Sequence, residues 1–269
     1  MNRDIGGRHE FCRQKAAPTG SSLYYSILYQ HPDDKHLLCI LHAFHNALVE
    51  IIGESSDPGV AHIKFAWWQE ELQRLANGQP RHPVTQAMAE MALSHETIIS
   101  LGQIVEHYDR HIDLKQPANY RQLIDFLQQG PGLYWQILAS AIGYQHPDTP
   151  AIMADLGTLF GYFNILQEQP WHLQQQRHYL PLDETQEITD KTSLYDLQLD
   201  RLEKELLRLV ELIPRTDRGK QRHALVLARI TALTCRESRR AGSHLLHQRV
   251  SLTPVRKLWI AWYCKWLYR

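Results

Sequence analysis

The chain lacks the marks of a membrane span, a disulfide framework or a zinc ribbon. No uninterrupted apolar run in its 269 residues reaches the roughly 18 that a transmembrane helix requires. The opening residues MNRDIGGRHEFCRQKAAPTG contain no hydrophobic stretch of the kind a secretory signal needs. Four cysteines, Cys12, Cys39, Cys235 and Cys264, stand far apart with no C-x-x-C pair, so free thiols in a reducing compartment are expected and secretion is not. Strand-like alternation bounded by turns, a fixed-period repeat and a Pro/Ser linker are absent too, which removes the β and multidomain architectures from consideration. Nor does one sign of charge dominate: 29 Lys+Arg balance 29 Asp+Glu, which at first argues against a nucleic-acid or anionic-membrane partner.

What is present is helical. A hydrophobic content of 43% with 22% charged residues excludes wholesale disorder. After Gly20-Ser21-Ser22, apolar residues at steps of three and four mark successive helices. They are expected over Leu23–Leu28, Lys35–Ile52, Val60–Leu75, Pro83–Met91, Glu96–Ile112, Tyr120–Gln129, Gly132–Ile142, Ala151–Gln169, Ser193–Ile213 and Lys220–His247, with a last one from Pro254. Asp57-Pro58-Gly59, Asn77-Gly78 and Gly130-Pro131 punctuate them, and Pro170 reads as a stop. The expectation is one all-α domain of ten to twelve helices over residues 20–269, preceded by a flexible tail at residues 1–19.

Two helices carry polar residues at every fourth position among apolar neighbours: Asn46, Glu50 and Glu54 on the one, Asn164 and Glu168 on the other, with His172 just beyond. Residues four apart lie above one another. Opposed across a bundle interior, two such faces would line one polar cavity; turned outward, they are solvated helix surfaces. Spacing alone leaves both open.

The stretch Ala43-Phe44-His45-Asn46-Ala47-Leu48-Val49-Glu50-Ile51-Ile52-Gly53-Glu54 resembles the first motif region of the squalene/phytoene synthase family. There, an Ala-Phe-Cys-Arg stretch leads into an Asp-Asp-x-x-Asp cluster. Gly157 through Asn164-Ile165-Leu166-Gln167-Glu168, then His172 and Gln176-Arg177-His178-Tyr179-Leu180-Pro181, follows the spacing of the second region. The family pattern in that region is Asn-Ile-Leu-Arg-Asp, an Asp four residues on, and Arg-x-Tyr-Leu-Pro. Gly20-Ser21-Ser22-Leu23-Tyr24, Trp67-Trp68-Gln69-Glu70-Glu71-Leu72 with Pro83-Val84, Asp113-Leu114 and Leu138–Gly143 agree as well, so the resemblance runs over about residues 20–185. It implies a single-domain helical bundle of the isoprenoid synthase type. In the family's synthases it implies head-to-head joining of two isoprenoid diphosphates, with aspartates holding Mg2+ against the departing diphosphate, a task that hard oxygen ligands and divalent cations suit.

This sequence departs from that pattern where the chemistry lies. Val49, Glu50 and Gly53 stand at the three aspartate positions of the first cluster, and Glu168 and His172 at those of the second. Gln167 replaces the family's Arg, and Gly161 a usual Gln. The departures imply loss of the magnesium chemistry in a non-catalytic binding protein: no cofactor is expected and no catalytic residue assigned, with Tyr24, Asn46, Glu50, Glu54, Asn164, Glu168, His172, Arg177 and Tyr179 as the binding set that the resemblance implies. Arg177 and Tyr179 fit either the rim of a cavity or a structural role holding a loop. The competing expectation is an active prenyl transferase that uses Mg2+ at a site rebuilt from Glu50, Glu54, Glu168 and His172. Against it, Glu54 is displaced by one residue, about 100° around a helix, and Glu168 with His172 needs a helix that continues past Pro170.

Leu166-Gln167-Glu168-Gln169-Pro170-Trp171-His172 is similar to the branch of the family that includes the mitochondrial complex I assembly factor related to phytoene synthases. Phe65-Ala66-Trp67-Trp68 and a C-terminal proline followed by an aromatic helix are similar to that branch too. The likeness implies a non-synthase role in respiratory-complex biogenesis. It implies a respiratory-complex subunit or assembly partner, or an isoprenoid- or quinone-like lipid, as the bound species. The location it implies is the cytoplasm in a bacterium or the mitochondrial matrix in a eukaryote.

The charge balance conceals a division. From Arg201 onward there are 16 Lys/Arg and 5 Asp/Glu, an excess of +11 that the first 200 residues offset. Residues 254–269, PVRKLWIAWYCKWLYR, form a basic, aromatic amphipathic helix in which Val255, Leu258, Trp259, Trp262, Trp266 and Leu267 make an apolar stripe. It suits packing on the protein's own core, docking on a partner, or peripheral contact with a membrane. The Arg-rich stretch around Arg229, Arg236, Arg239 and Arg240 reads as a solvated face paired with the acidic body, and no nucleic-acid recognition motif accompanies it.

Overall fold

A computed structural model describes residues 2–55, 57–114, 116–174, 177–188, 190–241 and 250–268. Among these, every regular element is helical. In order they are α1 (Asn2–Ala16), α2 (Ser22–Ser26), α3 (Pro32–Glu54), α4 (Pro58–Ala76), α5 (Pro83–Glu90), α6 (His95–His111), α7 (Tyr120–Leu127), a π-helical turn (Gln128–Gly132), α8 (Leu133–Ile142), α9 (Thr149–Gln174), α10 (Leu182–Glu187), α11 (Lys191–Leu212), α12 (Arg222–Ala241) and α13 (Pro254–Leu267). Side-chain caps start many of them: Ser21 for α2, Asp57 for α4, Ser94 for α6, Asn119 for α7 and Asp190 for α11 each accept from an amide of the first turn. Gly78, at φ +72°, turns the chain out of α4 in a backbone conformation that favours glycine.

The chain divides into two compact units, Met1–Leu114 with Ile137–Gly143 and Lys115–Gln136 with Tyr144–Arg269. In the first, α3 is the central element. It is long and apolar enough by length and composition to cross a membrane, yet Leu37, Leu38, Leu41, Phe44, Leu48, Ile51 and Ile52 are buried. It packs against α1, α4, α5 and α6, as a core helix does. Phe44 meets Trp68 of α4 edge to face at 5.2 Å, and His45 is hydrogen-bonded to the Tyr108 hydroxyl of α6 at 2.7 Å.

Residues 2–16, expected as a loose tail, instead form α1 along α3. Cys12 and Ala16 are buried on its inner face. Few apolar residues mark this helix, so its pattern is weak, and packing on α3 supplies what the local sequence does not.

One carboxylate knots the α4–α5 corner. Glu71 is fully buried and accepts from the amides of Arg81 (2.7 Å) and His82 (2.8 Å), the Thr85 hydroxyl (2.5 Å) and Arg74 Nε (2.8 Å). Burial alone would raise its carboxyl, but the bonds from His82, Thr85, Arg74 and Arg81 outweigh it and hold the group at about 2.

In the second unit α9 runs without a break for 26 residues, through Pro170. The expected stop is therefore wrong. A proline removes its own N–H bond, but beyond it the buried His172 packs edge to face on Tyr179 at 4.6 Å. The helix end is then closed by the Arg177 amide donating to the His172 carbonyl at 2.8 Å. Asp217 does for the start of α9 what Glu71 does for α5, accepting from the amides of Gln145 and His146 and from the Thr149 hydroxyl at 2.6–2.9 Å. α11 and α12 pack along each other through Arg236 and Arg239, which reach the buried Glu203, while Arg239 also meets Asp200 at 2.5 Å. The arginines of α12 are thus paired locally, with acids of α11 and α12, rather than with a distant acidic body. The expected extension of α12 to His247 lies outside the described residues.

Desolvation holds four imidazoles neutral: His45 and His223 at about 3, and His107 and His172 at about 4. In the unfolded chain these groups bind protons below about pH 6.5, so the unfolded state carries more protons and stability rises with pH through this window. The protein therefore melts at a lower temperature at pH 5 than at pH 7. Calorimetry in buffers of different ionisation enthalpy should show net proton uptake on unfolding at pH 5; no uptake would contradict the neutral imidazoles.

Candidate functional site

The polar face of α3 is committed to α1. Asn46 Nδ2 donates to the carbonyls of Lys15 (2.9 Å) and Ala16 (3.3 Å), satisfying acceptors that the end of α1 leaves open. One turn further along α3, Glu50 accepts from Lys15 Nζ at 2.5 Å. Glu54, a further turn on, is exposed. Val49 is exposed as well. Tyr24 lies in the same unit, half-buried, edge to face with Tyr25 at 5.2 Å, its amide held by the Ser21 cap.

In the second unit α9 gathers the other set. Asn164 is exposed, and Glu168 is half-buried one turn on. His172, the next turn, is buried between Trp171 and Tyr179. Arg177 reaches this group: burial pushes the His172 imidazole down and the guanidinium pushes it further. Burial raises the Tyr179 phenol, Arg177 draws it back and Glu168 adds to the rise. Glu168, His172, Arg177 and Tyr179 thus come together, with a cation already among them. Gln167, at the position of the family's Arg, donates to the Val250 carbonyl at 2.9 Å and ties the segment before α13 to α9.

Three helical glycines differ sharply in what they permit. At Gly53 an added Cβ would meet nothing within 4 Å. At Gly161 it would collide with the Pro131 ring, and at Gly157 it would lie 2.5 Å from the Pro131 carbonyl and 2.6 Å from Trp135 Cβ. The side-chain-free face of α9 is what lets the π-helical turn approach, so a Gln at position 161 is excluded by packing, whereas an Asp at position 53 is not.

These residues do not fit a magnesium–diphosphate site. Val49 and Gly53 offer no oxygen ligand, Glu50 is neutralised by Lys15, and His172 is a buried, aromatic-packed imidazole beside a guanidinium. Among the described residues no group of three or more His, Cys, Asp or Glu is placed to hold a metal ion.

The sequence reading missed Lys15, which it placed in a tail. It also missed a buried polar chain in the second unit. There Tyr162 donates to Gln198 Oε1 at 2.5 Å, Gln198 donates to Glu184, Arg201 pairs with Glu184 at 3.0 Å, and the same guanidinium lies 4.4 Å from the centre of the Tyr120 ring. Gln198 stands in core register between Leu194 and Leu202, a polar residue where an apolar one is due, and that was the available signal.

A sequence profile of the family described as squalene/phytoene synthase matches residues 16–256. Among solved structures, a dehydrosqualene synthase in complex with a ligand is similar with a TM-score of 0.81 at 15% identity, over 98% of each chain. The squalene synthase HpnC from Alicyclobacillus acidocaldarius is similar with a TM-score of 0.66 at 17% identity, over 87% of this chain and 95% of that one. At such identities the likeness is one of fold. Among curated proteins no sequence matches.

The glycine contrast has a measurable consequence. Gly53→Ala raises stability by about 0.5–1 kcal/mol, because it removes unfolded-state freedom at an unobstructed helical position. Gly161→Ala lowers it by about 1–3 kcal/mol through overpacking against Pro131. Urea unfolding of the two variants checks both signs.

Proposed function

Because the chain belongs to the squalene/phytoene synthase family, we propose that it is a non-catalytic member whose helical bundle serves as a binding scaffold in the assembly of a respiratory complex. The observation that carries the non-catalytic part is the attachment of α1 to α3. Asn46, on the first-motif face, donates to the carbonyls of Lys15 and Ala16, and Glu50, at one of the motif's aspartate positions, accepts from Lys15 Nζ. A carboxylate held by a lysine ammonium is a poor ligand for a hard dication, which would have to displace that cation first. The assembly role is supported by the resemblance of Leu166–His172 to the assembly-factor branch, and His172 in that segment is buried and packed against Tyr179.

Incubation of the purified protein with farnesyl or geranylgeranyl diphosphate and Mg2+ or Mn2+ should release no diphosphate above a no-protein control. Turnover that disappears in Glu50→Ala or Glu168→Ala would establish the rebuilt transferase site instead. In the host, loss of the gene should reduce assembled respiratory complex on native gels, and the Glu50→Ala protein should restore it as well as the wild type does. Undiminished assembly without the protein would remove that role.

A second reading, retention of an isoprenoid- or quinone-like ligand without reaction, is favoured by the convergence of Glu168, His172, Arg177 and Tyr179. Mass spectrometry of lipid extracts from the purified protein tests it. A co-purified prenyl lipid supports it, and repeated absence counts against it.

A further inference from the structure

α13 is turned the opposite way from a core helix. Its inward stripe is Lys257, Ala261, Cys264 and Tyr268, all buried, and it packs on α12. Tyr268 is the anchor: its hydroxyl accepts from Arg229 Nη2 at 2.7 Å and its carbonyl from Arg222 Nη2 at 2.9 Å. About 180° around the helix from that stripe lie Val255, Trp259, Trp262 and Trp266, exposed by 73%, 62%, 46% and 51%. Leu258, Tyr263 and Leu267 widen this outer face and are exposed as well. The aromatic rings contact one another along the helix, Trp259 with Tyr263 stacked at 6.2 Å and Trp262 with Trp266 at 6.1 Å. Helical geometry places Arg256 on one flank of the tryptophan stripe, where it pairs with Glu237 of α12 at 3.0 Å, and Lys265 on the other, and no acidic residue follows Glu237 in the chain.

We propose that this outer face of α13 docks on the surface of an anionic phospholipid bilayer, with the helix lying in the plane of the interface. Three features favour lipid over a protein partner. The exposed rings are Trp and Tyr, amphipathic groups that settle at headgroup depth, where an apolar body and a polar N–H or O–H are both accommodated. Basic side chains lie on both flanks of the stripe, as an in-plane helix above anionic headgroups requires, Lys265 on one and Arg256, shared with Glu237, on the other. The side chains that could have filled the bundle interior are turned outward, while small ones, Ala261 and Cys264, face α12. The proposal is independent of whether the protein has catalytic activity.

Flotation of the full-length protein with vesicles tests it, using phosphatidylcholine with phosphatidylglycerol against phosphatidylcholine alone. The floated fraction should be about tenfold larger on the anionic vesicles and should fall as salt is added. The combined variant Trp259→Ser, Trp262→Ser, Trp266→Ser alters only exposed side chains and should keep its helical circular dichroism while losing flotation about tenfold. Should that variant misfold, Trp262→Ser alone, at the middle of the stripe, should lose about threefold. Lys265→Gln should weaken the preference for anionic lipid, and adding Arg256→Gln, which also releases Glu237, should weaken it further. Equal flotation of wild type and a folded tryptophan variant, or no flotation of the wild type, would overturn the proposal. So would a vesicle-free dimer on sedimentation that the tryptophan variant dissolves, since the face would then belong to a second copy of the chain.

Discussion

Pro131 occupies the space that Cβ atoms at positions 157 and 161 would need, and the second unit is arranged around that approach. The π-helical turn that carries Pro131 joins α7 to α8, so bringing it against bare backbone on α9 sets where α7 and the first turn of α8 lie. Trp135, one turn into α8, then stacks on His223 of α12 with ring centres 5.3 Å apart and meets Phe160 of α9 at 4.7 Å. From α9 the same order passes to α11 through the buried Tyr162–Gln198 bond. A contact requiring two glycines one turn apart is intolerant of any side chain, and this makes the bare backbone at positions 157 and 161 a packing requirement.

The first unit meets a different requirement, that buried polar groups find partners. Glu71 satisfies it by collecting two amides, a hydroxyl and a guanidinium at one corner. Asn46 satisfies it at the end of α1. There it caps the carbonyls that the helix leaves open, and one turn on Glu50 pairs with Lys15.

Much of this was legible from residue spacing. The apolar steps of α3 from Leu37 to Ile52 are the ones the structure buries, and Asp57-Pro58 and Asn77-Gly78 bound α4 as their turn chemistry directs. Three things were not. α1 has no strong apolar period, and it is held by tertiary contacts that sequence spacing does not encode. Pro170 carries a local rule that packing of His172 on Tyr179 overrides. The short α10 follows Pro181 in a stretch with a single apolar residue in its first turn, Leu182, and rests on backbone bonds from Leu182 and Asp183 to Pro117 and Ala118. For the candidate site, the residue types and their helical register were readable, but that Glu50 answers to Lys15 was not, since the partner lies 35 positions away. The apolar stripe of α13 was readable as well; which way it faces was decided by Tyr268 and its two arginines.

The four cysteines, which entered as an absence of pairing, have a use of their own. Cys12, Cys39, Cys235 and Cys264 are all buried and lie on α1, α3, α12 and α13, two in each unit. Burial raises each thiol, to about 11 for Cys12, Cys39 and Cys264 and further for Cys235, so the folded protein is silent toward an alkylating reagent. Each thiol becomes reactive only when its own helix lifts. The native chain therefore carries a built-in set of reporters from which the opening frequency of four separate helices can be read by mass, with no label added and no residue changed.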